Sequence, residues 1–248
     1  MIQKLTGMVL HKRHYDDNSA IITILSQELG KLAFFAHGVQ KITSKNQYAV
    51  QFLATSEFEI FLSYHNNKLS KLKTGNLLKT RIKLAQNYDD YLLATLICEI
   101  AEQAVFDRQA DNELYELLTT TLDNLVTWED NLSIVIAFMF RALKWYGLEW
   151  DFTMCKRCGS KQHIKTISFL EEGYLCKNCL LPRDYLFPIE LVKVFNSNFH
   201  TNFYFYNKIN IKALIILFKM LCEYYLIKVG IFSCSIYEMR QKSIYFKE

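Results

Sequence analysis

Two pairs of cysteines in the second half of the chain constrain its fold more than any other feature of the sequence. Cys155 and Cys158 form the first pair and Cys176 and Cys179 the second, with the spacing C-x2-C-x17-C-x2-C. This spacing is typical of a zinc site, because each C-x2-C turn directs two sulfur atoms toward one ion. Four thiolates complete the tetrahedral shell and leave no position for a catalytic water. The pattern therefore predicts a structural zinc ion.

Two disulfide bonds or a thioredoxin-like redox pair are the alternative uses of these cysteines. The chain has seven cysteines, an odd number, and its first residues do not have the pattern of a secretory signal peptide. Both observations favour a reducing, cytoplasmic location, where paired C-x2-C turns bind metal. His163 lies between the two pairs and could replace one ligand, although four cysteines already fill the shell.

The composition is that of a globular protein. The chain has 248 residues and is 51% hydrophobic, which is enough for one large domain or two to three small ones. Its longest apolar stretch, residues 211–232, is interrupted by three lysines and one glutamate, which a membrane span would not carry. We therefore expect no transmembrane segment.

Charge is distributed unevenly along the chain. Residues 1–80 contain ten Lys and Arg against five Asp and Glu, whereas residues 81–150 contain five against twelve. A basic segment followed by an acidic one indicates that a polyanion, if one binds, contacts the N-terminal part first.

The first eighty residues have the pattern of short β-strands. Runs rich in Val, Ile, Leu, Phe and Thr are separated by turn residues, and Asn66-Asn67 predicts a hairpin. Five short strands fit a small barrel, with the OB-fold as the leading candidate and an SH3-like barrel as the alternative. The predicted strands are 4–11, 19–26, 31–37, 52–64 and 68–79.

From Arg81 onward the apolar residues follow helical spacing. The pattern predicts helices over 84–105, 113–128, 131–146, 189–195 and 209–230, with the third buried on all sides and ended by Gly147. The predicted class is α+β. An N-terminal OB-fold β-barrel (1–80) precedes a mainly α-helical domain (81–150 and 183–248), into which a four-cysteine zinc module (151–182) is inserted.

The N-terminal module contains the residues expected of a nucleic-acid surface. Single-strand binders combine a cationic groove with aromatic rings on which bases stack. Aromatic residues in a small barrel also build its core, and scattered lysines also serve solubility. The candidate DNA-binding cations are Lys12, Arg13, Lys31, Lys41, Lys45, Lys71 and Lys73, and the candidate aromatics are Phe34, Phe35, Tyr48, Phe58, Phe61 and Tyr64.

Sequence patterns of common catalytic sites are missing. The chain contains no phosphate-binding loop, no H-E-x-x-H and no G-x-S-x-G. Asp16-Asp17 could suggest a metal pair, but a turn between strands explains it better. We therefore expect a protein that is not an enzyme. A zinc-containing nuclease or transferase and an RNA- or translation-associated OB-fold zinc protein are the alternatives.

Several short segments resemble the RecO family of recombination mediators, and the resemblance covers nearly the whole chain. The more specific match is Phe138-x-x-Arg141-x-Leu143-x-x-x-Gly147, which leads into Cys155-x-x-Cys158-Gly159. Residues 169–176, which approach the second cysteine pair, are also similar to the family. The N-terminal matches are Gly7-Met8-Val9-Leu10, Tyr15-Asp16-Asp17, Ile24-Leu25, Gly30-Lys31, Gly38 and Ser44-Lys45.

The chain departs from the family pattern at three places. Val39-Gln40 stand where the family often has Ala-Arg, which removes one expected cation and leaves Lys41 and Lys45. Glu172-Gly173 replace Gly-Gly, and Gln51 replaces a proline.

The resemblance implies a bacterial, nucleoid-associated protein that binds single- and double-stranded DNA and anneals complementary strands. It also implies a partnership with RecR and indirect help to RecA in replacing single-strand binding protein (SSB). Family members hold the acidic, apolar C-terminal tail of SSB in the helical domain. Arg141 and Lys144 are candidates for the cationic rim of such a site, and Arg141 could instead join the zinc module to the helices.

Overall fold

The computed structural model describes residues 2–64, 68–127, 130–148, 150–192 and 210–245. These residues belong to two compact units, 1–127 and 128–248. The first unit contains a β-barrel and two helices. The second contains helices and a small sheet. The predicted mixed α+β class is confirmed.

Five strands close into a barrel in the order β1-β2-β3-β5-β4. The β3–β5 pairing is parallel, whereas the other pairings are antiparallel. All five predicted strands are present, each with ends within three residues of those expected. The predicted Asn66-Asn67 hairpin lies outside the described residues. The strands are β1 (Ile2–His14), β2 (Ala20–Ser26), β3 (Gly30–Ala36), β4 (Thr55–Phe61) and β5 (Ser70–Lys79).

Alternation of apolar residues places the barrel core. Leu32, Phe34 and Ala36 of β3 point inward and are buried, whereas Lys31 and Phe35 point outward. The long strand β1 pairs with β4 through its first half and with β2 through its second half. Side chains from all these strands pack into one core, which includes Val9, Ile22, Ile24, Phe34, Phe58 and Ile60.

Two helices pack with the barrel in the first unit: α1 (Tyr88–Gln103) and α2 (Asn112–Thr127). The guanidinium of Arg81 connects α2 to the barrel, because it donates to the hydroxyl of Thr55 at the start of β4 and forms a 2.7 Å ion pair with Asp123 of α2. The Arg81 side chain is only 2% exposed. These bonds are one reason that α2 groups with the barrel, whereas α1 and α2 were predicted from the sequence to belong to a separate helical domain.

The loop between α1 and α2 also lies against the barrel. The backbone N–H of Arg108 donates to the carbonyl of Lys31 at 2.8 Å. Gly30 has φ of +68°, and a Cβ built there would lie 1.9 Å from the carbonyl oxygen of Gln109. Only glycine therefore fits at this point of contact.

The second unit begins with the helix α3 (Asn131–Ala142), which continues as a 3₁₀ turn to Tyr146. Asp130 caps its N-terminus by accepting from the N–H of Ser133. Gly147, with φ of +71°, ends it in the left-handed conformation, as predicted. Nearly every residue of α3 is buried, which confirms the predicted central helix.

A three-stranded sheet follows, with β6 (Asp151–Cys155), β7 (Ile164–Ser168) and β8 (Gly173–Cys176) in the order β6-β8-β7.

Residues 189–192 form the start of the helix predicted after Pro188, and the rest of that predicted helix lies outside the described residues. The helix α4 (Ile211–Tyr224) continues as a π-helical turn to Val229, close to the predicted bounds.

The helices predicted from the sequence end at residue 230, and a short irregular tail was expected after them, which is wrong in part. Residues Cys234–Gln241 form a further helix, α5, which Ser233 caps by accepting from the N–H of Ile236. Ile236 and Met239 are buried, so tertiary packing stabilises this short helix. None of the helices in the described ranges has both the length and the apolar content needed to cross a membrane.

Candidate metal centre and nucleic-acid surface

The four cysteines of the two C-x2-C pairs come together in the second unit. The sulfur atoms of Cys155, Cys158, Cys176 and Cys179 all lie within 4.8 Å of one another. The Cys158 and Cys176 sulfurs are 3.6 Å apart. A tetrahedral zinc ion with Zn–S bonds of about 2.3 Å separates its ligands by about 3.8 Å. The cluster therefore fits one metal ion, and the candidate ligand His163 is not part of it.

Backbone geometry at two glycines shapes this metal site. Gly159 follows the first pair with φ of +72°, and its N–H donates to the carbonyl of Cys155 at 2.8 Å. Gly173 begins β8, and a Cβ there would lie 2.4 Å from the carbonyl oxygen of Asp151. The first glycine is thus needed for its conformation and the second for the close approach of two strands.

The cluster favours the binding of a cation. Burial opposes ionisation of Cys155, but N–H groups of Cys176 and Arg157 point at its sulfur and bring its pKa down to about 6. Contacts with the thiols of Cys158 and Cys176 raise the pKa of Cys179 to about 12. One thiolate therefore forms readily, whereas further negative charge needs a positive ion between the sulfurs.

Arg157 joins the two cysteine pairs through hydrogen bonds. Its guanidinium donates to the carbonyl of Cys179 at 2.6 Å and makes two bonds to the Asp184 carboxylate at 2.7 and 3.0 Å. A further ion pair joins it to Glu171 at 2.9 Å. Hydrogen bonding from Arg157 lowers the pKa of Asp184. Arg157 therefore has a structural role at the metal site.

Replacing Arg157 with lysine is expected to lower the temperature at which the second unit unfolds by a few degrees. An ammonium cannot make the paired bonds to a carboxylate while also bonding a carbonyl. Thermal unfolding followed by circular dichroism measures the effect, and the release of zinc to a chelator should be faster. Lys161→Gln, at an exposed neighbouring position, is the control. Unfolding and metal release unchanged from wild type would contradict this role.

The turn between β7 and β8 contains a residue in an unfavourable conformation. Glu172 has φ of +55°, in the left-handed region that favours glycine. Its carboxylate accepts a 2.8 Å hydrogen bond from the hydroxyl of Tyr224 in α4. Burial raises the pKa of Tyr224 to about 12, so the hydroxyl remains a donor. This bond helps to offset the backbone strain and ties the metal-binding sheet to α4.

On the barrel, one row of outward-facing residues crosses all five strands. Arg13 pairs with Ile21, Ile21 with Phe35, and Phe35 with Lys71. Lys71 also pairs with Phe61 of β4. Directly paired residues lie on the same face with Cβ atoms about 5 Å apart. The row therefore places cationic and aromatic side chains next to one another on the outer surface.

This row leads into an open groove of about 820 Å³. Tyr15 contacts Phe35 edge to face, with ring centroids 5.2 Å apart. Tyr15, Phe61 and Tyr64 are exposed by 66%, 47% and 67%, which leaves their rings accessible to a ligand. The residues that line the groove are Tyr15, Phe35, Phe61, Leu62, Ser63, Tyr64, Lys68, Leu69 and Lys71. We call this set the aromatic groove.

Three of the predicted DNA-binding cations do not line the aromatic groove. Lys12 pairs with Ile22 on the opposite face from Arg13, and burial lowers its pKa. The Lys31 ammonium bonds the carbonyl of Glu102 at 3.0 Å and lies 3.4 Å from Asp107. Lys73 forms a 2.8 Å ion pair with Glu59. Lys31 and Lys73 are therefore engaged in contacts within the protein, and burial disfavours the charged form of Lys12.

Lys41 and Lys45 lie on the segment between β3 and β4, and both are exposed. The side chain of Gln40 fixes this segment, because it donates to the carbonyls of Asp16 and Ser19 at 2.8 Å each. The Gln40 side chain thus anchors this segment to the β1–β2 turn. Neither lysine makes an ion pair within the described residues.

The predicted aromatic residues divide between core and surface. Phe34 and Phe58 are buried with ring centroids 5.3 Å apart, so they belong to the core. Phe35 and Phe61 line the groove instead. Tyr15, which also lines the groove, was not among the aromatic residues predicted from the sequence. The two-residue alternation along β3 was the signal that separates Phe34 from Phe35.

The two candidate partner-binding residues lie at the end of α3. Arg141 occupies the last turn of the helix and is half-buried. The Lys144 ammonium lies 4.3 Å from the centre of the Trp145 ring, a cation–π contact.

A second cavity, of about 320 Å³, lies on another side of the barrel. Glu28, Glu57 and Glu59 contribute to its lining. Both carboxylate oxygens of Glu28 accept from the N–H of Thr6. Carboxylates repel phosphates, so this cavity is not suited to nucleic acid.

Fold and sites together define a class: a small β-barrel protein with a cationic, aromatic outer groove and a second unit that contains a cluster of four cysteines able to hold a metal ion. Family models agree with this description. The model described as "Recombination protein O N terminal" matches residues 1–81, and the one described as "Recombination protein O C terminal" matches residues 85–194. The chain belongs to the RecO family.

Curated relatives match over most of the chain. A protein of Mesoplasma florum named "DNA repair protein RecO" is 33% identical over 98% of this chain and 92% of its own length. A protein of the same name from Mycoplasma mycoides is 33% identical over 96% of both chains. Another, from Bacillus cereus, is 25% identical over 76% of this chain and 75% of its own length.

Proposed function

We propose that the protein acts in DNA repair as a recombination mediator that binds single- and double-stranded DNA and anneals complementary strands. Membership of the RecO family and the name of the relatives support this role. Strand annealing requires no catalytic site. It needs a surface that neutralises phosphates and holds unpaired bases.

The observation that supports this proposal best is the row Arg13–Ile21–Phe35–Lys71–Phe61 with its aromatic groove. The strand order and the parallel β3–β5 pairing support assignment of the barrel to the OB type. OB-folds bind oligonucleotides on the face of strands 2 and 3 and at the loops that join strands 1–2 and 4–5. Tyr15, Phe35 and Tyr64 occupy these regions here.

We also propose that the metal is a structural zinc ion held by Cys155, Cys158, Cys176 and Cys179. Thiolates select zinc among the common divalent ions, and four protein ligands leave no open position. The ion would fix the two turns of the site relative to each other.

The family suggests partners in the bacterial cytoplasm, at the nucleoid: RecR, the SSB tail and, indirectly, RecA. An acidic, apolar peptide tail would suit an apolar groove with a cationic rim. Arg141 and Lys144 are the proposed rim residues.

Tyr64→Ala is expected to weaken single-stranded DNA binding about tenfold, because stacking of one base on an aromatic ring contributes about 1–3 kcal/mol. Fluorescence anisotropy with a labelled oligonucleotide measures the affinity. Tyr237→Ala is the matched control, since Tyr237 of α5 is exposed by 64% and Tyr64 by 67%. Equal affinities of wild type, Tyr64→Ala and Tyr237→Ala would place the binding surface elsewhere.

A charge variant separates stacking from phosphate contact. Lys71→Gln should weaken binding and reduce the slope of log affinity against log salt by about 0.7, because one phosphate contact is lost. Tyr64→Ala should leave that slope unchanged.

Two further assays distinguish the alternative functions. Complementary oligonucleotides mixed with the protein, with and without SSB, should anneal and remain intact. Cleaved strands would instead support a nuclease. Comparison of DNA with RNA of the same sequence separates a DNA mediator from an RNA-associated protein.

A further inference from the structure

The segment between β3 and β4 presents one apolar side chain to solvent. Ile42 is 95% exposed, the highest value among the exposed large hydrophobic residues of the described chain. Consecutive turns form this segment, with the N–H of Lys41 donating to Gly38 at 3.3 Å and that of Ser44 to Lys41 at 2.9 Å. An isoleucine exposed to this degree is accessible to a ligand, and its burial against an apolar surface of that ligand would be favourable.

Firm anchors on the segment hold Ile42 in this position. Two residues before it, the side chain of Gln40 bonds two carbonyls and its backbone N–H donates to Asn18 at 3.0 Å. Val39 is fully buried in the barrel core, and Ala49 and Val50 are buried after the tip. Because the segment is fixed on both sides, Ile42 points outward as part of the fold.

The same anchor connects Ile42 to the aromatic groove. Gln40 bonds the carbonyl of Asp16, and the adjacent residue Tyr15 lines the groove. The segment that carries Ile42 and the groove residue Tyr15 are therefore both joined to the β1–β2 turn. Lys41 and Lys45 flank Ile42 in the chain and are exposed, so the apolar tip stands between two cations.

We propose that Ile42 is a stacking pin, an apolar side chain that covers the last base pair where a duplex meets the single strand held in the aromatic groove. This inference rests on the proposed function and names its preferred substrate, a junction of double- and single-stranded DNA. A terminal base pair exposes one flat apolar face of a size that a single isoleucine covers in part. Apolar side chains between cations insert at base steps in many DNA-binding proteins.

The charges and the small apolar area favour this ligand over others. Lys41 and Lys45 would contact the phosphates on either side of the covered pair. A bilayer or a protein partner needs a contiguous apolar patch, and Ile42 is flanked by polar residues on both sides.

The test compares a hairpin with a single-stranded tail against the tail alone. Ile42→Gln should lower the affinity for the tailed hairpin about tenfold, because the apolar area of roughly half a buried side chain is lost. Its affinity for the tail alone should stay within about twofold of wild type, and Ile42→Leu should restore junction binding. With 2-aminopurine in the terminal pair, wild type and Ile42→Leu should reduce its emission by limiting fraying, whereas Ile42→Gln should not.

Other outcomes overturn the inference in distinguishable ways. If Ile42→Gln binds both DNAs and changes the emission as wild type does, the pin is wrong and the proposed function stands. Lys41→Gln/Lys45→Gln should weaken binding to both DNAs while the emission change at saturation persists. If wild type binds neither DNA, the proposed function and the pin are both wrong. Thermal unfolding of Ile42→Gln should match wild type because the side chain is exposed.

Discussion

Replacing Cys176 with serine is expected to remove zinc from the protein and to unfold the metal-binding sheet while the barrel stays folded. Cys176 is 3% exposed and its sulfur lies within 4.8 Å of the other three. Structural zinc contributes an apparent free energy of about 10–16 kcal/mol in small zinc domains, and a serine hydroxyl is a poor ligand. Zinc analysis per chain and thermal unfolding measure the two effects.

Cys234→Ser is the control for this experiment, because Cys234 is exposed and lies outside the cluster. It makes the same chemical change and should leave zinc content unchanged. In Cys176→Ser we expect a separate transition of the second unit at lower temperature. One zinc per chain and unchanged unfolding in that variant would contradict the four-thiolate site.

Gly30→Ala is expected to destabilise the first unit by about 3 kcal/mol or more, since it combines a left-handed backbone with a steric clash. Gly30 has φ of +68°, and an added Cβ would lie 1.9 Å from the oxygen and 2.3 Å from the carbon of the Gln109 carbonyl. The loop between α1 and α2 would have to move away from β3. Urea unfolding measures the change in the free energy of unfolding.

Gly38→Ala separates the two causes. Gly38 has φ of +66°, but the atom nearest to an added Cβ is the Lys41 Cδ at 4.0 Å. It should therefore cost only the left-handed strain, about 1–2 kcal/mol. Equal decreases in the free energy of unfolding of the two variants would mean that the loop between α1 and α2 does not pack closely against Gly30.

The strands and the clustering of the four cysteines were predictable because their signals are local. Alternation along a strand and the C-x2-C spacing depend on near neighbours in the sequence. The surroundings of individual lysines depend on distant residues and were not predictable. The ammonium of Lys31, a predicted DNA contact, bonds the carbonyl of Glu102, which is far along the chain.

Strand geometry explains why two neighbouring basic residues on β1 have different positions on the barrel. Lys12 and Arg13 are adjacent in the sequence, and a basic pair suggests one patch. Adjacent residues of a strand point to opposite faces, so only Arg13 joins the outer row with Phe35 and Lys71. The groove itself needs the pairing of β3 with β5, which no local pattern predicts.

Short elements that depend on tertiary packing were also missed. The helix α5 has eight residues, too few to be stable alone, and its buried Ile236 and Met239 supply the missing free energy. Glu172 gave no signal of a left-handed turn either, because glycine is the usual marker and Tyr224 supplies the compensating bond from another helix.

The hydrogen bonds of Gln40 have a thermodynamic consequence for ligand association. A flexible basic loop loses conformational entropy when it closes on a polyanion, whereas this segment is already held at Asp16 and Ser19. Binding should then begin without an ordering step. The entropy of association should come mainly from the release of counterions, because the loop loses little conformational entropy. Calorimetry of Gln40→Ala should show a less favourable entropy of binding, since the variant must order its loop with each DNA molecule it meets.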